Sequence, residues 1–142
     1  MAVEYSYGAL QTVGVGQNVL FNDSPIPCTK GYIIHRDGSG IITLRGVTNQ
    51  ARARYRISFG ANIAVPASQT VGPISLAISI EGEPVEAATM IVTPAAIEQF
   101  FNVSADIFVD VPKCCCVSVA IENTSTIPVN VQNANVIIDR VA

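Results

Sequence analysis

Three cysteines stand side by side in the stretch PKCCCVSVAIENTS, at Cys114, Cys115 and Cys116. Adjacent thiols offer three chemistries: metal ligation, redox exchange, or none at all if they are packed. Structural zinc sites close two ligands on one ion through spacings such as C-x2-C. Here the thiols fall inside an alternating apolar pattern. Cys114 and Cys116 would then share a strand face at ~6.5–7 Å, against ~4 Å between two sulfurs on one zinc ion. The other soft ligands, Cys28 and His35, are distant in sequence. A bridge between neighbours would distort a strand, which leaves Cys28 with one of the three as the redox option. The packing reading fits the alternation best. It puts Cys115 with Val117, Val119 and Ile121 on the core face, and Cys114 and Cys116 in a second apolar contact.

Other catalytic groups are sparse. His35, in IIHRDG, is the sole histidine and reads as a solvated turn residue. No G-x-S-x-G elbow accompanies it. Carboxylates sit singly, in turns (Glu81, Glu83, Glu86) or on outward strand positions (Asp106, Asp110). Acid–base chemistry needs two that converge in a cleft. The expectation is a protein that is not an enzyme, with no cofactor and no metal.

The elements that must position these residues are strands. In YRISFGANIAV, Tyr55, Ile57, Phe59, Ala61, Ile63 and Val65 alternate with smaller or polar residues. Such a period of two sends successive side chains to opposite faces of a sheet. Ile74, Leu76 and Ile78 repeat it, and so does the run from Val103 to Val111. GYIIHRDGSGIITLRG and the EGEP stretch read as hairpins. NVLFND, from Asn18 to Asp23, is a short strand candidate, and PAAIEQFF a turn. The pattern predicts eight to ten strands in an all-β sandwich or barrel. The core is expected at Tyr55, Ile57, Phe59, Ile63, Ile74, Leu76, Ile78, Val117, Val119 and Ile121. Residues 1–17 read as an N-terminal arm or a short first strand, with the arm as the expectation, and residues 18–142 as the domain.

Composition excludes some partners. The net charge is -3, and the one loose basic cluster is Arg52, Arg54 and Arg56. That is no footprint for nucleic acid. No apolar run approaches the ~20 residues of a spanning helix, so no membrane partner is expected. The first residues lack the pattern of a secretory signal, and the glycosylation-like triplets at Asn22, Asn102 and Asn123 read as chance matches. Charged residues are 13% of the chain and mean hydropathy is +0.41, against ~25% charged in typical globular domains. So apolar a surface is best hidden between subunits.

GQNVLFND, GIITLRG, YRISFGANIAV, SLAISIEGEPV, NVSADIFVDVP and NANVIIDRVA, in that order, resemble the jelly-roll domains of the tumour-necrosis-factor and complement-globular-head superfamily. The bacterial branch, with spore-surface glycoproteins and small phage virion proteins, is the nearer one. The resemblance implies a single-domain jelly-roll homotrimer with the last strand in the inner sheet, near the threefold axis. Phe100, Phe101, Phe108 and Ile137 are the expected interface. It further implies a virion surface component, a capsid decoration or head-fibre-like protein of a bacteriophage. That protein would be assembled in the host cytoplasm, with other copies of itself and major capsid proteins as partners. The alternative on the same fold is a carbohydrate-binding or host-adhesion module, reading through RDGSG and ENTSTIPVN.

Overall fold

A computed structural model describes residues 2–142 of the chain. Among them are eleven strands and no helix. They are β1 (Ala2–Tyr7), β2 (Gln11–Val13), β3 (Asp23–Ile26), β4 (Ile33–His35), β5 (Ile42–Arg45), β6 (Arg52–Ala64), β7 (Ile74–Ile80), β8 (Glu83–Val92), β9 (Phe101–Pro112), β10 (Cys116–Asn123) and β11 (Val129–Arg140). The first sheet runs β3-β1-β11-β6-β9, with β2 also on β11; the second runs β4-β5-β10-β7-β8. All pairings are antiparallel. The two sheets stack as a jelly-roll sandwich, as the resemblance implies.

Alternation builds the core. Ala53, Tyr55, Ile57, Phe59, Ala61 and Ile63 on β6 are buried, opposite Leu44, Leu76, Ile78, Val119 and Ile121 of the second sheet. The expected core residues are buried there, except that Val117 is only partly so. Phe21 meets Phe59 edge-on at 6.3 Å, a favourable aromatic geometry.

The turns follow local chemistry. Ile80 pairs with Glu83 across Glu81 and Gly82, whose φ values are 53° and 82°. Two positive φ angles mark the type I′ turn that matches hairpin twist. PAAIEQFF is irregular and turned, with Glu98 donating its backbone N–H to the Val65 carbonyl. NVLFND is not a strand. Asn18 and Phe21 make single bridges to Glu122 and Ser39, and regular pairing starts only at Asp23. Pro25 lies in β3, which is an edge strand where its missing N–H is tolerated.

The reading of residues 1–17 as an arm is corrected. Ala2–Tyr7 pair in unbroken register with Ala134–Asp139 of β11, and β3 flanks β1 on its other side. Val3 and Tyr5 point into the core, 1% and 3% exposed. The alternation is present but short, and its partner strand lies over 120 residues away, as Tyr7↔Ala134 shows.

Two buried polar side chains tie the layers. The Tyr55 hydroxyl, on the first sheet, donates to the Arg45 carbonyl of the second at 2.6 Å. Asn123 is buried, and its amide donates to the carbonyls of Val13 (3.0 Å), Gly14 (3.3 Å) and Ile127 (3.1 Å). Its Oδ1 accepts from the Ser125 N–H and hydroxyl. The Asn123 triplet is thus enclosed in the fold.

Deleting residues 1–10 removes Val3 and Tyr5 and strips β11 of a neighbour. Each large buried side chain is worth about 2–5 kcal/mol, against ~5–15 kcal/mol for a whole domain. The truncated chain is expected to lose its cooperative thermal transition by circular dichroism; wild-type melting would show that β1 is dispensable. Asn123→Ala strands several buried carbonyls, and urea unfolding is expected to show a loss of about 2–4 kcal/mol.

Candidate functional site

The outward positions of β6, β9 and β11 form one face of the first sheet. In rows across the strands, Asp139 stands beside Arg56 and Phe108, then Ile137 beside Ser58 and Asp106. Every second residue of β6 at this end is an arginine, and β9 answers with aspartates. Arg54 binds Asp110 bidentately at 2.7 and 3.1 Å, and Arg52 reaches the same carboxylate at 3.4 Å. Arg56 leans one row along to Asp106, its Nε donating at 3.0 Å. Phe108, the neighbour of Arg56 in register, is thereby left uncovered.

Phe108 is 64% exposed and Ile137 43%. Beside Phe108 lies a depression of about 520 Å³ lined by Arg54, Arg56, Asp110, Val141 and Ala142. At the far end of the face the chemistry turns to amides. Asn102 donates to Asn62, Asn62 to Asn133, and Asn135 to Glu4 at 2.7 Å. The charged groups that line the depression are already bonded, Arg54 to Asp110 and Arg56 to Asp106. The face is suited to contact.

The four expected interface residues do not form one patch. Phe108 and Ile137 share the face with β6 between them. Phe101 pairs with Ile63, on the core-side parity, at the opposite end of β9. Seven residues of strand separate it from Phe108, or roughly 23 Å. Phe100 precedes it, and both are exposed at that far end.

The cysteine stretch is a turn. Pro112 ends β9 and β10 begins at Cys116; Cys115 N–H donates to the Pro112 carbonyl at 3.0 Å. Cys114 has φ 65°. Cys114 and Gly46 close the turn onto the β5–β6 loop through Cys114 N–H to Gly46 O and Gly46 N–H to Cys115 O. A Cβ on Gly46 would collide with the Pro112 carbonyl oxygen, so only glycine lets the two loops meet. The packing reading is corrected here, because Cys114, Cys115 and Cys116 are all exposed. The alternation that placed Cys115 in the core breaks at the left-handed residue before it. No cluster of three metal-ligating side chains exists among the described residues.

His35 is also corrected, from a solvated residue to a half-buried one. Its ring lies 4.3 Å from Tyr5 and 6.4 Å from Phe21. Nε2 donates to the Ser39 carbonyl at 2.9 Å. Nδ1 is then the bare nitrogen, buried without a partner. Among the described residues, no hydroxyl or thiol is bonded to either ring nitrogen. Around Cys28, burial pushes the thiol up, but the backbone N–H groups of Ile33, Lys30, Tyr32 and Gly31 outweigh it and draw the thiol down.

No sequence family and no curated protein matches the chain. Solved structures do. The globular domain of zebrafish complement 1qA protein superposes with a TM-score of 0.65 at 16% identity, over 99% of this chain and 94% of that one. Eiger TNF from S. frugiperda gives 0.68 at 10% identity, over 100% and 92%. Murine APRIL at pH 5.0 gives 0.67 at 7% identity, over 99% and 98%. The chain has the tumour-necrosis-factor and complement-head fold. The coverage is nearly complete in both directions.

The Arg–Asp ladder makes a pH prediction. Hydrogen bonds from Arg56 hold Asp106 below the ordinary 3.8, and those from Arg54 do the same for Asp110. A carboxylate depressed by folding contributes stability above its unfolded value, and that contribution is lost as pH falls through the folded one. The ladder is expected to persist through pH 5 and part only under strong acid. Carbon-13 titration of the two carboxyls should give midpoints below 3.8; midpoints at or above it would show that the pairs do not form in solution.

Proposed function

We propose that this protein acts by self-association, as a homotrimer built on the outer face of its first sheet, and not by catalysis. The observation that carries the reading is Phe108, a phenyl ring 64% exposed on the outward face of β9, the edge strand of the first sheet. Large rings are costly to leave in water, and contiguous apolar exposure marks contact sites. Ile137 and Val141 extend it, each 43% exposed. The ladder of Arg52, Arg54 and Arg56 with Asp106 and Asp110 rims it, in the pattern of an apolar centre and a polar border. The threefold arrangement is supported by the fold's likeness to the complement and tumour-necrosis-factor heads. Phe108 and Ile137 belong to the primary contact; Phe100 and Phe101 serve a second contact at the other end.

Our reading extends to a place on a larger particle, as a surface or decoration subunit of a virion with capsid proteins as neighbours. That extension rests on the sequence resemblance to the bacterial and phage branch.

Light scattering at micromolar concentration tests the assembly. A mass of about 45 kDa is expected, three times the 15.0 kDa chain. Phe108→Asp with Ile137→Asp should yield folded monomers with a preserved far-ultraviolet spectrum. A wild-type mass of 15.0 kDa would end the proposal, and a variant that stays trimeric would move the interface elsewhere.

A further inference from the structure

The turn between β9 and β10 offers three exposed thiols that nothing in the fold uses. Its backbone is locked, with Lys113 N–H donating to Ala51 O, Cys114 N–H to Gly46 O and Cys115 N–H to Pro112 O, all at 3.0 Å. Cys114 holds φ 65°, a region that glycine and asparagine fill more readily. Such strain at a reactive side chain is a pointer to function. Neighbouring cysteines cannot readily pair with each other, because a trans peptide sets their Cα atoms ~3.8 Å apart and an unstrained disulfide spans ~4.4–6.8 Å. Cys28 is half-buried, and all four cysteines are free. Cys115 adjoins both of the others, so a disulfide partner for it must come from outside the turn.

Charge determines which reagent reaches it first. Lys113 adjoins Cys114 and Arg45 is the cross-strand partner of Cys116, while Arg52, the partner of Pro112, shares Asp110 with Arg54. Cations flanking a thiol turn attract anionic disulfides such as oxidised glutathione. The number of thiols sets the size of the product. One exposed thiol stops at a dimer, whereas three let each copy join more than one neighbour.

We infer that the Cys114–Cys116 turn is a thiol–disulfide exchange site that takes an anionic small-molecule disulfide and passes it on as a covalent link to a second copy of this chain. A cysteine thiolate attacks one sulfur of oxidised glutathione. The glutathione S–S bond breaks, a mixed disulfide forms and one glutathione thiolate leaves. A thiolate of the second copy then attacks the cysteine sulfur of that mixed disulfide and expels the second glutathione. Two protein thiols are oxidised, one disulfide is reduced to two thiols, and the protons end on glutathione. The step does not depend on the trimer, which is read separately under reducing conditions.

The test treats the reduced, full-length protein with oxidised glutathione and reads non-reducing gels and intact mass. The expected result is a ladder of dimers and higher species that collapses on reduction, with peptide mapping placing the links at 114–116. The ladder should form more slowly in high salt. It should disappear in C114S/C115S/C116S and persist in C28S. Should the triple variant fail to fold, brief alkylation of native C28S protein, with the label mapped to 114–116, should block the ladder equally. Glutathione adducts that stay at monomer mass, a closed bridge within one turn, or links that map to Cys28 would each overturn the inference.

Discussion

The pairing of β1 with β11 is the constraint on which the rest of the first sheet depends. β11 lies between β1 and β2 on one side and β6 on the other, so the sheet's middle is supplied by the last strand to be made. Closing a loop of that length is costly in chain entropy and slow, because the contacts that reward it are non-local. The outer face inherits this. Phe108 comes from β9, Arg56 from β6 and Ile137 from β11, and they meet only when β11 docks. The outer face is a product of topology, with no segment that could carry it alone.

What keeps the docking in one register is polar. Alternating apolar strands slide by two residues at modest cost, since the same faces stay buried. Tyr55 cannot slide without losing the Arg45 carbonyl, nor Asn123 without orphaning Val13, Gly14 and Ile127. Buried polar groups left unpaired cost more than the bonds themselves contribute. The β-bulge of β11 between Gln132 and Asn135 is held by exposed amide bonds instead. Asn133, at φ 57°, accepts from Asn62 and donates to the Gly8 carbonyl.

Long alternating strands are legible from sequence, because burial on one face imposes period two whatever the partner. β6, β7 and β9 are such cases. The short strands are not. β1 carries only Val3 and Tyr5 as core residues, too few to distinguish from a mixed arm until β11 is placed beside it. His35 misleads for a related reason. Its neighbours Tyr5 and Phe21 come from other segments, so local polarity suggests water where the fold supplies rings. The cysteines mislead differently. Their alternation with Val117, Val119 and Ile121 is genuine as a pattern, but it extends two residues past the strand. The stop signal is Pro112 together with Gly46 in a distant loop, and Gly46 acts only through a close backbone approach that sequence cannot display. On the outer face, Arg52, Arg54 and Arg56 are visible as a cluster, and Asp106 and Asp110 as outward residues. What sequence lacks is the β6–β9 register that joins them.

That register also explains why exposed apolar side chains sit in so polar a neighbourhood. The chain has eight lysines and arginines. Six of them, Arg45, Arg52, Arg54, Arg56, Lys113 and Arg140, gather where β5, β6, β9 and β11 meet the connecting loops. Most are already engaged. Three arginines hold the aspartates of β9, Arg45 holds the Gly31 carbonyl, and Arg140 stacks on Tyr32 at 4.5 Å. Exposed pairs of this kind contribute little to stability, about 0–1 kcal/mol each. Their effect is on geometry. Arg56 bonds Asp106, and Phe108, its neighbour in register, stays 64% exposed. A face whose charges are satisfied internally makes few polar demands on a partner and presents its uncovered rings. Such a surface favours another protein surface over a small polar ligand, and a second copy of the same chain already carries a matching one.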